Sequence, residues 1–235
     1  MRLWLLDIAA EPGSKIDLWL KAEDGSTWIH RSHYIQNFYL VGDVKRAASL
    51  LKLENIRFEK CSRRFRGRLV EALRVYAECD DLEEYASRLV KRIGNVEVYE
   101  ADIRSSAKYL LEKGLRPCSW LEVEGKLAGE EDGVHILEGG EAREAADAPP
   151  PRLRIAALDF VFFAEKGSAR PDRDPIRLIS ISFDDGFELQ LEGDERDILQ
   201  SLISVIKERD PDILVGFGLN RIQWGYLLEL SLIHI

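Results

Sequence analysis

The last third of this 235-residue chain constrains its fold most tightly. LRIAALDFVFF, residues 153–163, is an apolar run with one carboxylate, Asp159, inside it. PIRLISISF and FELQLEG follow, joined by Asp184-Asp185-Gly186, which is the chemistry of a hairpin turn. DERDILQSLISVIKERD then has helical spacing, with Ile198, Leu199, Leu202, Val205 and Ile206 on one face. Asp194 stands at its cap position and Pro211 stops it. DILVGFG is a second apolar run, and IQWGYLLEL begins another helix. Apolar runs of this length read as buried strands. The order is strand, hairpin, helix, strand, helix. It predicts three mainly antiparallel strands, then a helix crossing over to a parallel strand.

The first part is less regular. RLWLLDI, KIDLWLKA, STWIHRS and NFYLVG are short and rich in β-branched and aromatic residues, and EDGS at 23–26 is a turn. VKRAASLLKL, 44–53, predicts a helix. NIRFEKCSRRFRGRLVEALRVYA, 55–77, reads as strand with a basic middle. DDLEEYASRLVKRIG, 80–94, predicts an amphipathic helix capped by Asp80 or Asp81 and closed by Gly94. VEVYEA reads as a strand, and SAKYLLEKG, 106–114, as a short helix ended by Gly114. Trp120 and Tyr109 read as core. The expected fold is an α+β N-terminal domain over residues 1–126. LAGEEDGVHILEGGEAREAADAPPP, 127–151, is acidic and rich in Gly, Ala and Pro, and reads as a linker or mobile loop. Residues 152–235 then form a second domain.

The net charge of −9 does not exclude a phosphate partner. Residues 120–148 hold nine acids and two bases, so that segment carries −7 and everything else −2. The run Arg63, Arg64, Arg66, Arg68 with Phe65 could touch phosphates or stack on bases; solvated strand residues are the competing reading. No apolar run approaches the length of a membrane span, so no membrane partner is expected. Cys61, Cys79 and Cys118 are an odd number without metal-ligand spacing, which suits a reduced, cytoplasmic protein. The four histidines show no ligand spacing. Taken alone, Asp159 is either a polar residue closing a strand or half of a metal site.

Several stretches are similar to the archaeal family B DNA polymerases, in order, over nearly the whole chain. They are FEKCSRRFRGRLVEALRVYA (58–77), VYEADIRSSAKYLLEKGLRPCSWLEVEG (98–125), RIAALDFVFFAEKGSARPDRDPIRLISIS (154–182) and RDPDILVGFGLNRIQWGYLLE (209–229). The resemblance implies an N-terminal polymerase domain followed by the first part of a 3′–5′ exonuclease-like domain. The second domain is then an incomplete α/β ribonuclease-H-like fold. It implies DNA, template or primer, as a partner, with the remaining polymerase domains and replication accessory proteins. It also raises detection of uracil in the template, with no particular residues assigned to that pocket.

The departures from the family pattern are specific. The first exonuclease motif of the family is Asp-x-Glu; here Asp159-Phe160-Val161 stands in its place. In the second motif Gln223 stands where the family has an acid, Gly218 where it has Asn, and Gly225 where it has Pro. The family reaction uses Mg²⁺ in a two-cation site, which needs anionic oxygen ligands. Asp159 is the retained ligand position, Val161 offers no ligand, and Gln223 offers a neutral one. An inactive proofreading domain that binds no Mg²⁺ tightly is therefore expected. Phe217, Asn220 and Arg221 fall where the second motif meets the 3′ strand, a DNA contact or a packing and capping role. The palm, fingers and thumb have no counterpart here, so nucleotidyl transfer is not expected of this chain alone. The ending ELSLIHI departs from the family pattern and is left out of the fold expectation. A still-active nuclease using other acids, and a separate non-catalytic DNA-binding accessory subunit, are the alternative functions.

Overall fold

A computed structural model of the chain describes residues 1–11, 13–164, 170 and 173–234. They form two compact units, Met1–Pro151 and Arg152–Ile235.

The first unit holds two sheets. One has seven strands: β1 (Arg2–Glu11), β2 (Lys15–Lys21), β3 (Thr27–His33), β8 (Trp120–Val123), β9 (Lys126–Glu131), β10 (Val134–Glu138) and β11 (Ala142–Glu144). Their order is β11-β8-β1-β2-β3-β10-β9. Leu3, Leu5, Ile16, Leu18 and Leu20 alternate along β1 and β2 and bury one face. Tyr109 and Leu110 of the helix α3 (Ser105–Lys113) pack onto it.

The segment 127–151, expected to be a linker, is instead part of this sheet. β9 and β10 form a hairpin through Asp132-Gly133, and β10 pairs in parallel with β3. Composition misled here because the acids face solvent while Ile136, Leu137 and Ala142 are buried. The chain stays anchored as far as Pro149, whose carbonyl accepts from Trp120 Nε1 at 2.8 Å.

The other sheet of this unit is built from β4 (Gln36–Gly42), β5 (Phe58–Phe65), β6 (Arg68–Ala77) and β7 (Val96–Tyr99), in the order β5-β6-β4-β7. Helices α1 (Val44–Leu53) and α2 (Leu82–Ile93) complete a β-α-β-β-α-β succession. Both helices lie on one face, against Phe38, Leu40, Leu73 and Val75. Asp81 caps α2 by accepting from the Glu84 amide, and Gly94 ends it at positive φ.

The second unit has the sheet order β14-β13-β12-β15. Its strands are β12 (Ile155–Phe162), β13 (Ile176–Phe183), β14 (Glu188–Glu192) and β15 (Ile213–Val215). β12–β13–β14 are antiparallel, and β15 returns parallel to β12 after helix α4 (Glu195–Arg209). Ile198 and Leu202 of α4 pack on Leu158, Ile179 and Ile181. Asp194 occupies the N-cap of α4 but, against expectation, makes no side-chain capping bond. A π-helical turn, Leu219–Gln223, leads into α5 (Trp224–His234). Among the described residues no helix is long and apolar enough to cross a membrane.

Candidate functional site

Strict alternation along β12 decides what Asp159 can do. Ala156, Leu158 and Phe160 turn inward, so Ala157, Asp159 and Val161 share the opposite, open face. Asp159 lies directly across from Ser180 on β13, which in turn pairs with Gln190 on β14. Its Oδ1 accepts from the Phe160 amide at 3.0 Å. Two residues on, where a second acid would share this face, the isopropyl group of Val161 is 51% exposed.

Gln223 closes the π-helical turn that Gly218 opens from the left-handed region, at φ +70°. Its side chain is buried, at 6% exposure, and Oε1 has no hydrogen-bond partner. It lies beside β12. A Cβ placed on Gly216 would stand 2.6 Å from the Leu158 carbonyl oxygen and 3.5 Å from Gln223 Oε1. Gln223 thus approaches β12 at Leu158, and of Asp159, Val161 and Gln223 only Asp159 carries a carboxylate. Among the described residues no three His, Cys, Asp or Glu side chains come together as a metal-holding group. A pair of Mg²⁺ ions does not fit a donor set of one carboxylate, one buried amide and one hydrocarbon. On the same turn Phe217 is 98% exposed and Asn220 is exposed. The side chain of Arg221 lies outside the described residues.

The basic run folds as the β5–β6 hairpin. Arg66 and Gly67 form its turn, both at positive φ, which suits a tight two-residue connection. Alternation sends Arg63 and Phe65 to one face and Arg64 to the other, so the structure does not place Arg63, Arg64 and Arg66 on one surface. The Arg63 guanidinium lies 4.5 Å over the Tyr39 ring and donates to the Tyr39 hydroxyl, a bond that raises its pKa and keeps it charged. Arg66 lies 5.0 Å over Phe65, whose ring centre is 4.8 Å from that of Tyr99. Arg57 lies 4.6 Å over Tyr76.

Tyr39 itself is buried, and Nζ of Lys108 on α3 is 5.0 Å from the centre of its ring. Lys108 donates to the Asn37 carbonyl at 2.7 Å and pairs with Glu100 at 3.1 Å. Burial lowers its pKa, against the opposing pull of Glu100. Arg57, Tyr39, Tyr76 and Tyr99 were not singled out in the sequence. Their link to Arg63 and Phe65 is cross-strand pairing between segments far apart, and only the alternation within 57–65 was visible.

No protein-family model matches the chain. It is 31% identical over 234 residues to a DNA polymerase of Archaeoglobus fulgidus, covering 95% of this chain and 29% of that relative. It is 29% identical to DNA polymerase 2 of Aeropyrum pernix, covering 96% of this chain and 31% of that relative. The family B DNA polymerase from the hyperthermophilic archaeon Pyrobaculum calidifontis superposes with a TM-score of 0.83 at 30% identity, covering 98% of this chain and 32% of that one. The chain belongs to the archaeal family B DNA polymerases. It spans less than a third of the length of these relatives.

Proposed function

We propose that the chain serves as the DNA-contacting and scaffolding portion of a family B DNA polymerase, and that its 3′–5′ exonuclease site is inactive. The observation that carries this reading is the pairing of Asp159 with Val161 on one open strand face, beside the buried amide of Gln223. Family membership and the strand order β14-β13-β12-β15, with β15 parallel to β12, support a ribonuclease-H-like second unit. In such a fold Asp159 would be the remaining ligand position. One carboxylate cannot hold two divalent ions against their mutual repulsion, so hydroxide generation and leaving-group stabilisation are both lost. DNA contact falls to Arg63, Arg64 and Arg66 on the hairpin and to Phe217 and Asn220 on the turn after β15. The other polymerase domains supply nucleotidyl transfer.

The test is incubation of the whole chain with 5′-labelled single-stranded DNA in Mg²⁺ and, separately, in Mn²⁺. The label is expected to stay at full length. Shortening from the 3′ end that disappears in Asp159→Ala would overturn the reading.

A further inference from the structure

We infer that the cleft between α4 and α5 is a docking site for an amphipathic helix of a partner protein, about three turns long with a carboxylate near each end. None of Asp159, Val161 and Gln223 lines this cleft. The inference therefore goes beyond the proposed function and does not depend on it.

The cleft has a volume of about 490 Å³ and reaches down to the buried Leu158 of β12. Its α4 wall has two stripes, each stepping by three and four residues. Leu199, Leu202 and Ile206 form the deeper stripe. Arg196, Gln200, Ile203 and Lys207 form the outer one. Trp224 and Leu227 make the α5 wall. Ile203 and Trp224 are half-exposed, and large apolar side chains gathered at a surface cleft mark a contact surface.

Charge selects the occupant. Arg196 and Lys207 are the first and last α4 residues of the cleft, about 17 Å apart along the helix axis. Neither makes an ion pair among the described residues, whereas Arg154, Arg173 and Arg209 of the same unit each have a carboxylate partner. No acidic side chain lines the cleft among the described residues. A helix with an apolar stripe and an acid at each end meets the leucines and both cations together. A nucleic-acid strand does not. It would lay phosphates along the whole length, where the wall between the two cations offers hydrocarbon and the amide of Gln200.

Size selects a transient partner. A helix of this length has a footprint about 17 Å by about 10 Å, far below the about 800 Å² per partner of a standard interface. An apolar centre with a charged rim suits a partner that is also soluble alone. A second copy of this chain does not supply the helix. Asp197 and Glu208 of α4 have the right spacing, but Ser201 and Ser204 stand between them where an apolar stripe is needed. Helices α1, α2 and α3 have bases in their last turns, and α5 holds one acid, Glu229.

The experiment is fluorescence anisotropy of the whole chain with two labelled helical peptides. Both are rich in alanine, with leucines at i, i+3 and i+7 on one face. One carries two glutamates beside that face, eleven residues apart, and the other carries lysines at the same places. The glutamate peptide is expected to bind at least about fivefold tighter, because two exposed ion pairs form and two like-charge contacts are avoided. Arg196→Glu combined with Lys207→Glu should reverse the preference. Ile203→Asp, and separately Trp224→Ala, should weaken binding of the glutamate peptide at least about tenfold. All four side chains are exposed or half-exposed, so thermal melts of the variants should stay close to wild type.

Equal affinity for the two peptides overturns the inference, as does a failure of the glutamate peptide to bind at about 1 mM. So does binding that Ile203→Asp leaves untouched. Sedimentation of wild type as a dimer that Ile203→Asp makes monomeric would give the cleft to a second copy instead. Displacement of the bound peptide by a short single-stranded DNA would give it to a polyanion.

Discussion

Placing carboxylates at 161 and 223 tests the proposed inactivity of the site directly. Val161→Glu changes a half-exposed side chain on the open face of β12, and should alter stability by no more than about 0.5 kcal/mol. Gln223→Asp is different. Gln223 is buried and its Oε1 already lacks a partner, so a carboxylate there is an uncompensated buried charge. That situation costs about 3–5 kcal/mol when the group stays ionised, and less if it takes up a proton. The double variant should therefore be markedly less stable than wild type at pH 8, and the deficit should shrink towards pH 5. Mg²⁺ should then act on the variant alone. If the three carboxylates share a Mg²⁺ with a dissociation constant of about 1 mM, 10 mM Mg²⁺ returns about 1.4 kcal/mol. The assay is urea unfolding of wild type and double variant, with Mg²⁺ against NaCl at matched ionic strength. Wild type should show no Mg²⁺-specific gain. A gain of similar size in wild type that vanishes in Asp159→Ala would refute the reasoning, because Asp159 with Gln223 would then suffice to hold the ion.

Other outcomes follow from particular contacts. Gly216→Ala should cost about 1–3 kcal/mol, read as a lower urea midpoint at unchanged slope, because its Cβ would press on the Leu158 carbonyl and only backbone movement relieves that. Burial lowers the Lys108 pKa, so over an alkaline interval the folded chain has released a proton that the unfolded chain still holds. The stability of wild type relative to Lys108→Met should therefore rise as pH increases from 7 towards the ordinary lysine range; urea titrations at several pH values that show a flat or falling difference would contradict this. Trp120→Phe removes the 2.8 Å bond to the Pro149 carbonyl and should cost about 1 kcal/mol. It should also speed amide exchange in Ala142–Glu144, and unaltered exchange there would show that this anchor does not hold β11.

The second unit was legible in the sequence because its signals are local. Asp184-Asp185-Gly186 gives the hairpin, Pro211 stops α4, and two apolar runs give β12 and β15. The first unit hid its sheet membership. β10 pairs in parallel with β3, about a hundred residues earlier in sequence, and no local pattern announces such a partner. Its acids made 127–151 look unstructured, although burial of Ile136, Leu137 and Ala142 is enough to dock its strands. The candidate site divided in the same way. Asp159 and Val161 were visible as neighbours two apart on one strand. The orphaned oxygen of Gln223 and its approach to β12 through Gly216 depend on a crossover that only the fold supplies. On the hairpin, the arginines were obvious, but not that Arg63 and Arg64 face opposite ways or that Arg63 and Lys108 both approach the Tyr39 ring.

Site and scaffold are separable in this unit, and the geometry explains how chemistry could be lost without loss of the fold. The inward face of β12 supplies the packing through Leu158 and Phe160, and its pairing with β13 and β15 uses backbone groups that any side chain permits. Asp159 and Val161 belong to the other face, so replacing an acid at 161 by valine removes like-charge repulsion beside Asp159 and disturbs no buried contact. Gln223 is the costlier position, because its side chain is buried and its Oε1 has no hydrogen-bond partner. There an amide fills almost the same volume as a carboxylate while carrying no charge into a buried pocket. Under the proposed absence of cations, valine at 161 and glutamine at 223 are the residues that the two positions favour. In a pocket that still held divalent ions, the same two residues would leave positive charge uncompensated, and acids at 161 and 223 would be the stable choice.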